Sequence, residues 1–193
     1  MLALLLLGSL LAIYDPDPAQ PGAGTLQGET WSKTSSAAGL WLTRIDEPMR
    51  TAFIKRRSGL EIDPFMSAPE RAGSPGFLAF HVLVENHTET RMVFQPQSCR
   101  LQTSWKDFQE PIDLPTIWTA FAMADREPPK GIEKIRAAIL DGEIVLEPGQ
   151  KRDGLLVYHA IDPHAKTFQI DVGATLTKGE RFGFAAFYKK RKK

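Results

Sequence analysis

Two of the four histidines fall inside predicted strands and would lie near each other if those strands pair or face one another. His81 falls inside the run FLAFHVLVEN and His159 inside GLLVYHA, and both runs have the composition of strands. Two imidazoles on neighbouring strands would begin a zinc site, but zinc takes three or four converging ligands. Neither the cysteine count nor any short-range histidine spacing supplies the others. The sequence therefore favours histidines in ordinary strand positions, with a metal-dependent enzyme as the alternative.

The sequence contains no arrangement typical of nucleophilic catalysis. Cys99 is the only cysteine, and it alternates with Leu101 and Thr103 on one predicted strand face. That position favours an inert core thiol over a nucleophile. No G-x-S-x-G motif occurs, and the acidic pairs fall at turns, where Asp stabilises the local backbone. We therefore predict neither an enzyme nor a cofactor.

Asn86-His87-Thr88 matches the acceptor tripeptide for N-glycosylation. It directly follows a predicted strand, and Asn tolerates the left-handed backbone of a turn. We therefore interpret Asn86 as a turn residue.

Two features are the predicted interaction surfaces. Trp118 and Phe121 lie in a predicted helical segment and, with Trp31 and Trp41, are the aromatic candidates. Aromatic residues supply much of the contact area in interfaces, although core packing is the usual role of such side chains. The second feature is a basic tail that could contact anionic lipid or, without specificity, nucleic acid, or else be a frayed terminus. It consists of Lys189, Lys190, Arg191, Lys192 and Lys193.

Composition indicates a globular protein without a dedicated nucleic-acid-binding domain. The 193 residues are 42% hydrophobic and 24% charged, which predicts a packed core. The formal charge is only +1, and because the last five residues are all basic, the rest of the chain is mildly acidic.

The first residues of the chain bear on the cellular location of the protein. Leu2 to Tyr14 is an almost unbroken apolar run, too short to span a bilayer comfortably and typical of a secretory signal. We predict a signal-like or anchoring segment and the start of a linker over residues 1–24, and hence an extracytoplasmic protein: periplasmic, secreted or membrane-tethered. If the run is instead part of the core, the protein is a soluble intracellular one. With Cys99 as the only cysteine, no intramolecular disulfide is possible.

The rest of the chain is predicted to be mainly β. Residues 25–38 are rich in small and polar residues and predict a linker. Residues 39–188 contain roughly eight short strands, including Leu40 to Ile45, Thr51 to Lys55 and Phe77 to Asn86. A helical insertion is expected at 114–142, and the basic tail follows at 189–193. Many short strands separated by turns are typical of a β-sandwich.

One stretch carries a family resemblance. A strand ending in Asn86 is followed, after polar strands, by Pro148-Gly149 and then by Gly154-Leu155-Leu156-Val157-Tyr158. This order resembles the telokin-like, immunoglobulin-type domains of exported bacterial proteins over about half of the chain, with Tyr158 where Phe is usual. The resemblance implies an immunoglobulin-like β-sandwich and a cell-envelope accessory module, and it carries no catalytic residues. We accordingly predict a non-enzymatic binding module for an unknown protein or cell-envelope partner.

Overall fold

The computed structural model describes residues 14–65, 76–162, 164–176 and 179–191. Within them lie helices α1 (Glu47–Ser58) and α2 (Leu114–Met123) and 3₁₀ segments at Pro96–Ser98 and Ile132–Ala137. The strands of the described residues are β1 Tyr14–Pro16, β2 Thr25–Gln27, β3 Thr30–Thr34, β4 Ala38–Ile45, β5 Phe77–Asn86, β6 Met92–Phe94, β7 Leu101–Thr103, β8 Phe108–Gln109, β9 Ile144–Leu146, β10 Lys151–His159, β11 Thr167–Thr175 and β12 Arg181–Lys190.

The strands form two antiparallel sheets, which confirms the prediction of a mainly β protein. In the seven-stranded sheet the order is β1, β12, β11, β6, β9, and β7 pairs with the other end of β11 and carries β8. The five-stranded sheet has the order β10, β5, β4, β3, β2. The predicted boundaries of β5 are those of the structure, because its β-branched and aromatic content and its lack of internal Gly and Pro favour a strand over a buried helix.

An inter-sheet core lies between the two sheets. One face of β5 contributes Phe80, Val82 and Val84, and the facing side of β11 contributes Ile170 and Val172, all nearly inaccessible to solvent. Alternation along a strand sends every second side chain into this core. The period-2 pattern of the sequence therefore positions the two sheets against each other.

The opposite face of the five-stranded sheet is partly covered by a helical layer. α1, α2 and the 3₁₀ helix at Ile132–Ala137 pack against β5 and β10 and enclose a second core, which we call the helix-layer core. Its members from the sheet include Ala79, Leu155 and Val157. Because both faces of β5 and β10 are buried here, these strands are apolar on both sides.

α1 corrects the prediction of a strand at Thr51 to Lys55. Asp46 caps the helix by accepting a hydrogen bond from the Met49 N–H at 2.9 Å, and Pro48 occupies the first turn. Gly59, with φ of 70°, ends it. The buried side chains are Arg50, Phe53 and Ile54. This helical spacing was hidden because its first member is an arginine.

The expected linker at 25–38 instead contains β2 and β3, so ordered structure begins well before Gly39. Trp31 on β3 is completely buried in the inter-sheet core and fixes the segment there. The preceding residues close the free edge of β12: Asp17 donates its N–H to the Phe187 carbonyl at 2.8 Å, and Gly24 donates to Ala185 at 3.2 Å. Small and polar residues thus pair with an edge strand here, because backbone hydrogen bonds do not require apolar side chains.

The helical segment between strands was predicted at 114–142, and α2 and the 3₁₀ helix lie within it. Its end seals the edge of β10: the Leu140 N–H donates to the Leu155 carbonyl (2.9 Å), and the Leu155 N–H donates to Ala138 (2.8 Å). A Cβ on Gly154 would lie 2.8 Å from the Leu140 side chain. Gly154 is therefore required by a close approach of two segments.

Other predictions are met in part or lie outside the described residues. The strand expected at Ser98 to Trp105 is limited to β7, since a 3₁₀ turn precedes it and a tight turn with Lys106 at positive φ follows it. The apolar run falls outside the described residues except for Tyr14. No helix within the described ranges is long and apolar enough to cross a membrane.

Candidate functional site

The structure separates the two strand histidines. In the β5–β10 register His81 lies opposite Leu155, whereas His159 lies opposite Phe77. Four residues along a strand correspond to about 13 Å, which is too far for one zinc ion to bind both imidazoles. No group of three or more metal-binding side chains occurs in the described ranges.

His81 belongs instead to a small charged cluster between α1 and β10. Its Nε2 lies 3.2 Å from Asp153 Oδ2, and Arg57 donates to Asp153 Oδ1 at 2.7 Å. Partial burial opposes ionisation of Asp153, but the hydrogen bond from His81 and the charge of Arg57 outweigh it and lower the pKa of that carboxyl. Both oxygens of the Asp153 carboxylate have a partner, one on β5 and one on α1, so the cluster links α1 to the five-stranded sheet.

Cys99 lies inward as predicted and is fully buried. Burial raises the pKa of its thiol to about 12, so almost none of it is thiolate near neutral pH. Its carbonyl accepts a 2.7 Å hydrogen bond from the Tyr158 hydroxyl, which is also buried. Tyr158 therefore has a structural partner that Phe would lack, and Cys99 is a core residue.

Asn86 is not an accessible glycosylation acceptor. Its side chain is completely buried, and Nδ2 donates to the carbonyls of Thr90 (2.7 Å) and Leu146 (2.9 Å). Its Oδ1 accepts from the Thr88 N–H and hydroxyl. The backbone of Asn86 is in the extended region as part of β5, so the left-handed turn geometry expected there is wrong. The residue is fixed by its side-chain hydrogen bonds.

The predicted aromatic surface lies on α2. The helix buries Leu114 and Ile117 against the helix-layer core. Trp118 is 44% exposed and Met123 is 85% exposed, while Phe121 is half-buried beside the same core. Of the predicted aromatic residues, Trp118 therefore lies on the solvent side and Phe121 at its margin. Trp31 is buried in the inter-sheet core, so it is not part of a surface, and Trp41 is half-buried on β4. Met123 was missed by the sequence reasoning, although its place at the end of an uncharged helix was visible.

The described part of the basic tail, Lys189 to Arg191, is paired with the rest of the fold. Lys189 and Lys190 are the last residues of β12. Lys189 lies 3.4 Å from Asp17, and Arg191 forms a close ion pair with Asp15 at 2.6 Å. Lys192 and Lys193 lie outside the described residues. The basic residues thus project from the sheet end beside two carboxylates that the sequence placed in a linker.

A shallow groove of about 300 Å³ crosses the outer face of the seven-stranded sheet. Its floor is made by outward side chains of β7, β11 and β12, and Asp17 and Gln20 form one wall. Sequence reasoning missed it. The alternating polar residues of each strand were visible, but only the strand pairing brings them together, because β7 and β11 are more than sixty residues apart.

No family model matches the sequence, and no curated protein matches it. Among solved structures, the chain is similar to the yjhA protein from Bacillus subtilis. The sequences are 13% identical, the TM-score is 0.39, and the match covers 73% of this chain and 76% of that one.

Proposed function

We propose that the protein is a non-enzymatic binding or accessory module of the cell envelope and that it contacts a protein partner through α2. The observation that carries this proposal is the exposed apolar side of that helix. α2 has ten residues, none of them charged, yet only two are buried. A surface helix ordinarily carries polar or charged residues on its solvent side.

The exposed side of α2 has the composition of a contact surface. Trp118 is 44% exposed and Met123 is 85% exposed, and aromatic residues and Met are enriched in interfaces. The helix begins at Leu114, with Pro115 in its first turn, and is capped by Asp113, which accepts from the Thr116 N–H at 2.8 Å. A capped helix presents its side chains in a fixed geometry, which lowers the entropic cost of binding.

We propose further that the fold is of the immunoglobulin type and telokin-like. The face-to-face packing of two antiparallel sheets supports this assignment, as does the buried Tyr158 on β10 within the inter-sheet core. Such modules act through their surfaces, and the fold itself does not identify the partner.

The location in the cell envelope rests on the apolar run from Leu2 to Tyr14. Fractionation of expressing cells tests it. We expect the protein in the periplasmic, secreted or membrane fraction, and recovery of full-length protein only from the cytosol would defeat the proposed location without bearing on α2.

The role of α2 is tested by position-specific photo-crosslinking in expressing cells. We expect a discrete crosslinked product when the photoreactive residue replaces Trp118. The same residue at Glu133, an exposed position of the neighbouring 3₁₀ helix, is the matched control and should give none. The product should also weaken when Met123→Ser is added. Equal crosslinking at both positions, or none at Trp118, would contradict a specific surface on α2.

A further inference from the structure

We propose that the groove on the outer face of the seven-stranded sheet binds a neutral oligosaccharide. The inference comes from one row of side chains that the strand pairing assembles. Phe108 of β8 lies opposite Gln102 of β7, which lies opposite Gln169 of β11, which lies opposite Phe187 of β12. Asp17 continues the row, because its N–H donates to the Phe187 carbonyl.

All members of this row project from the same face of the sheet. Directly paired residues of neighbouring strands share a face, and the residues on either side of them in sequence, such as Leu101, Phe168 and Ile170, are buried in the inter-sheet core. At about 4.8 Å per strand, Phe108 and Phe187 are about 14 Å apart. Within the row, two amides in the groove thus lie between two aromatic side chains, Phe187 in the groove and Phe108 beyond its lining.

The two amides are available to a ligand. Neither the Gln102 nor the Gln169 side chain has a hydrogen-bond partner among the described residues, although both are only half exposed. A carboxamide offers donors and an acceptor side by side, and a sugar hydroxyl is also both donor and acceptor. Thr167 and Ser104, in the next outward row, add two hydroxyl groups to the groove.

The aromatic ends suit the apolar faces of sugar rings. Phe108 is 61% exposed, which is unusual for an aromatic side chain without a partner. Phe187 lines the groove floor. Flat aromatic rings bury the C–H faces of pyranose rings, while the amides between them bind the hydroxyl groups at the ring edges. Sites of this kind combine apolar surface with a few placed polar groups.

The charge distribution favours a neutral ligand. Asp17 accepts from Gln20 Nε2 at 3.1 Å and lies 3.4 Å from Lys189 Nζ. The hydrogen bond from Gln20 and the charge of Lys189 lower the pKa of Asp17, so the carboxylate stays ionised and paired. The amides and hydroxyls on the floor carry no charge. The one carboxylate of the row, Asp17, is balanced by Lys189, so the row has no net charge that would favour an anionic or a cationic chain.

The proposal is independent of α2, since the groove and that helix lie on different sheets. The test is a titration of the full chain, followed by two-dimensional NMR, with cellohexaose, chitohexaose, laminarihexaose and maltohexaose, and with hexagalacturonate as the anionic comparison. We expect at least one neutral hexasaccharide to shift amide signals of β7, β11 and β12. Shifts only with hexagalacturonate, shifts located elsewhere, or no shifts with any of them would overturn the proposal.

Variants identify the contacts. Gln102→Ala and Gln169→Ala should each weaken binding severalfold, and together tenfold or more, because each removes hydrogen bonds to the ligand. Phe108→Ala should weaken it to a similar extent. Gln27→Ala, at an exposed position of β2 in the other sheet, is the matched control and should leave the affinity unchanged. An equal loss in this control, with unchanged thermal unfolding of all variants, would also overturn the assignment.

Discussion

The inter-sheet core and the helix-layer core are built on different principles. The first is assembled from alternating apolar residues of long strands, such as Phe80 and Val82 on β5 facing Ile170 on β11. The second joins three helical elements and irregular segments to the other side of β5 and β10. The buried charged residues of the described ranges, Arg50 and Asp63, lie beside the second core. One core therefore depends on pattern, and the other also depends on particular polar partners.

The difference shows how a layer without strand alternation is held. Arg50 of α1 donates to Asp63 Oδ2 at 2.9 Å and to the Phe65 carbonyl at 2.7 Å. Asp63 also accepts from the Thr51 hydroxyl and the Phe65 N–H. These hydrogen bonds fix residues 59–65, which follow α1 and form neither a helix nor a strand. In a buried ion pair, good hydrogen bonds offset the desolvation penalty of the two charges. Removal of one partner leaves the other charge buried and uncompensated.

The largest expected effect comes from breaking that pair. Arg50→Ala leaves Asp63, which is 3% exposed, without its cation, and should lower the free energy of unfolding by about 3–5 kcal/mol. Urea denaturation measures it. Arg57→Ala is the matched control, since its pair with Asp153 is at the surface and contributes only about 0.2–1 kcal/mol. If the two variants lose similar amounts of unfolding free energy, the buried pair contributes no more than the surface pair, and the prediction is contradicted.

The next effect concerns the seam between the insertion and β10. In Gly154→Val the new Cβ would meet Leu140 at 2.8 Å and the Ala138 carbonyl oxygen at 3.1 Å. We expect a loss of about 1–3 kcal/mol, the usual cost of forcing atoms into a packed site. Lys151→Val on the exposed start of β10 is the control for strand propensity. If Gly154→Val unfolds at the same urea concentration as the control, the close approach is not required.

A smaller effect should follow from removing a polar contact of the inter-sheet core. Tyr158→Phe deletes the 2.7 Å hydrogen bond to the Cys99 carbonyl and leaves that buried acceptor without this partner. The expected loss is about 1–2 kcal/mol, measured by urea denaturation. The Cys99 thiol should remain unreactive towards a disulfide reagent in the folded variant, and rapid modification would show that the core had opened. A loss as large as that of Arg50→Ala would abolish the contrast between the two cores.

The smallest effect is at an exposed ion pair. His87 lies 3.1 Å from Glu85 and 3.2 Å from the Ser35 carbonyl, and the hydrogen bond to Glu85 raises the pKa of the imidazole above its usual value. This contribution is fully present below the unfolded pKa of about 6.5 and is lost as the pH rises through the higher folded value.

Urea denaturation at about pH 5 and about pH 8 should therefore show a decrease, with rising pH, that is absent in His87→Gln. Because the side chain is exposed, the change should stay below about 1 kcal/mol and shrink in high salt. An increase in stability with pH that disappears in the variant would refute the sign.

The part of the fold that local patterns determine could be predicted from the sequence. The inward position of Cys99 follows from a period of two, and the bounds of β5 follow from an uninterrupted run rich in β-branched and aromatic residues. α1 had readable signals in Asp46, Pro48 and Gly59, but its buried arginine interrupted the apolar spacing. β2 and β3 could not be recognised from composition, because the burial of Trp31 depends on the neighbouring strands.

The candidate surfaces divide in the same way. Trp118 was identified because an aromatic residue in a short uncharged helix is a local feature of the chain. The row from Phe108 to Phe187 was not, since its members come from strands far apart in the sequence. Register decides which side chains of a sheet become neighbours, and register is set by long-range pairing.

By itself, the sequence determined that the chain would be mainly β, because hydrophobic alternation and turn residues are local properties. Only the tertiary structure decided which uncharged, polar and aromatic residues meet on the outer sheet face, and that Arg50 would be buried against Asp63. The physical reason is that both outcomes depend on contacts between different segments of the chain. Such contacts contribute free energy only once the strands and helices have packed, so local sequence patterns do not reveal them.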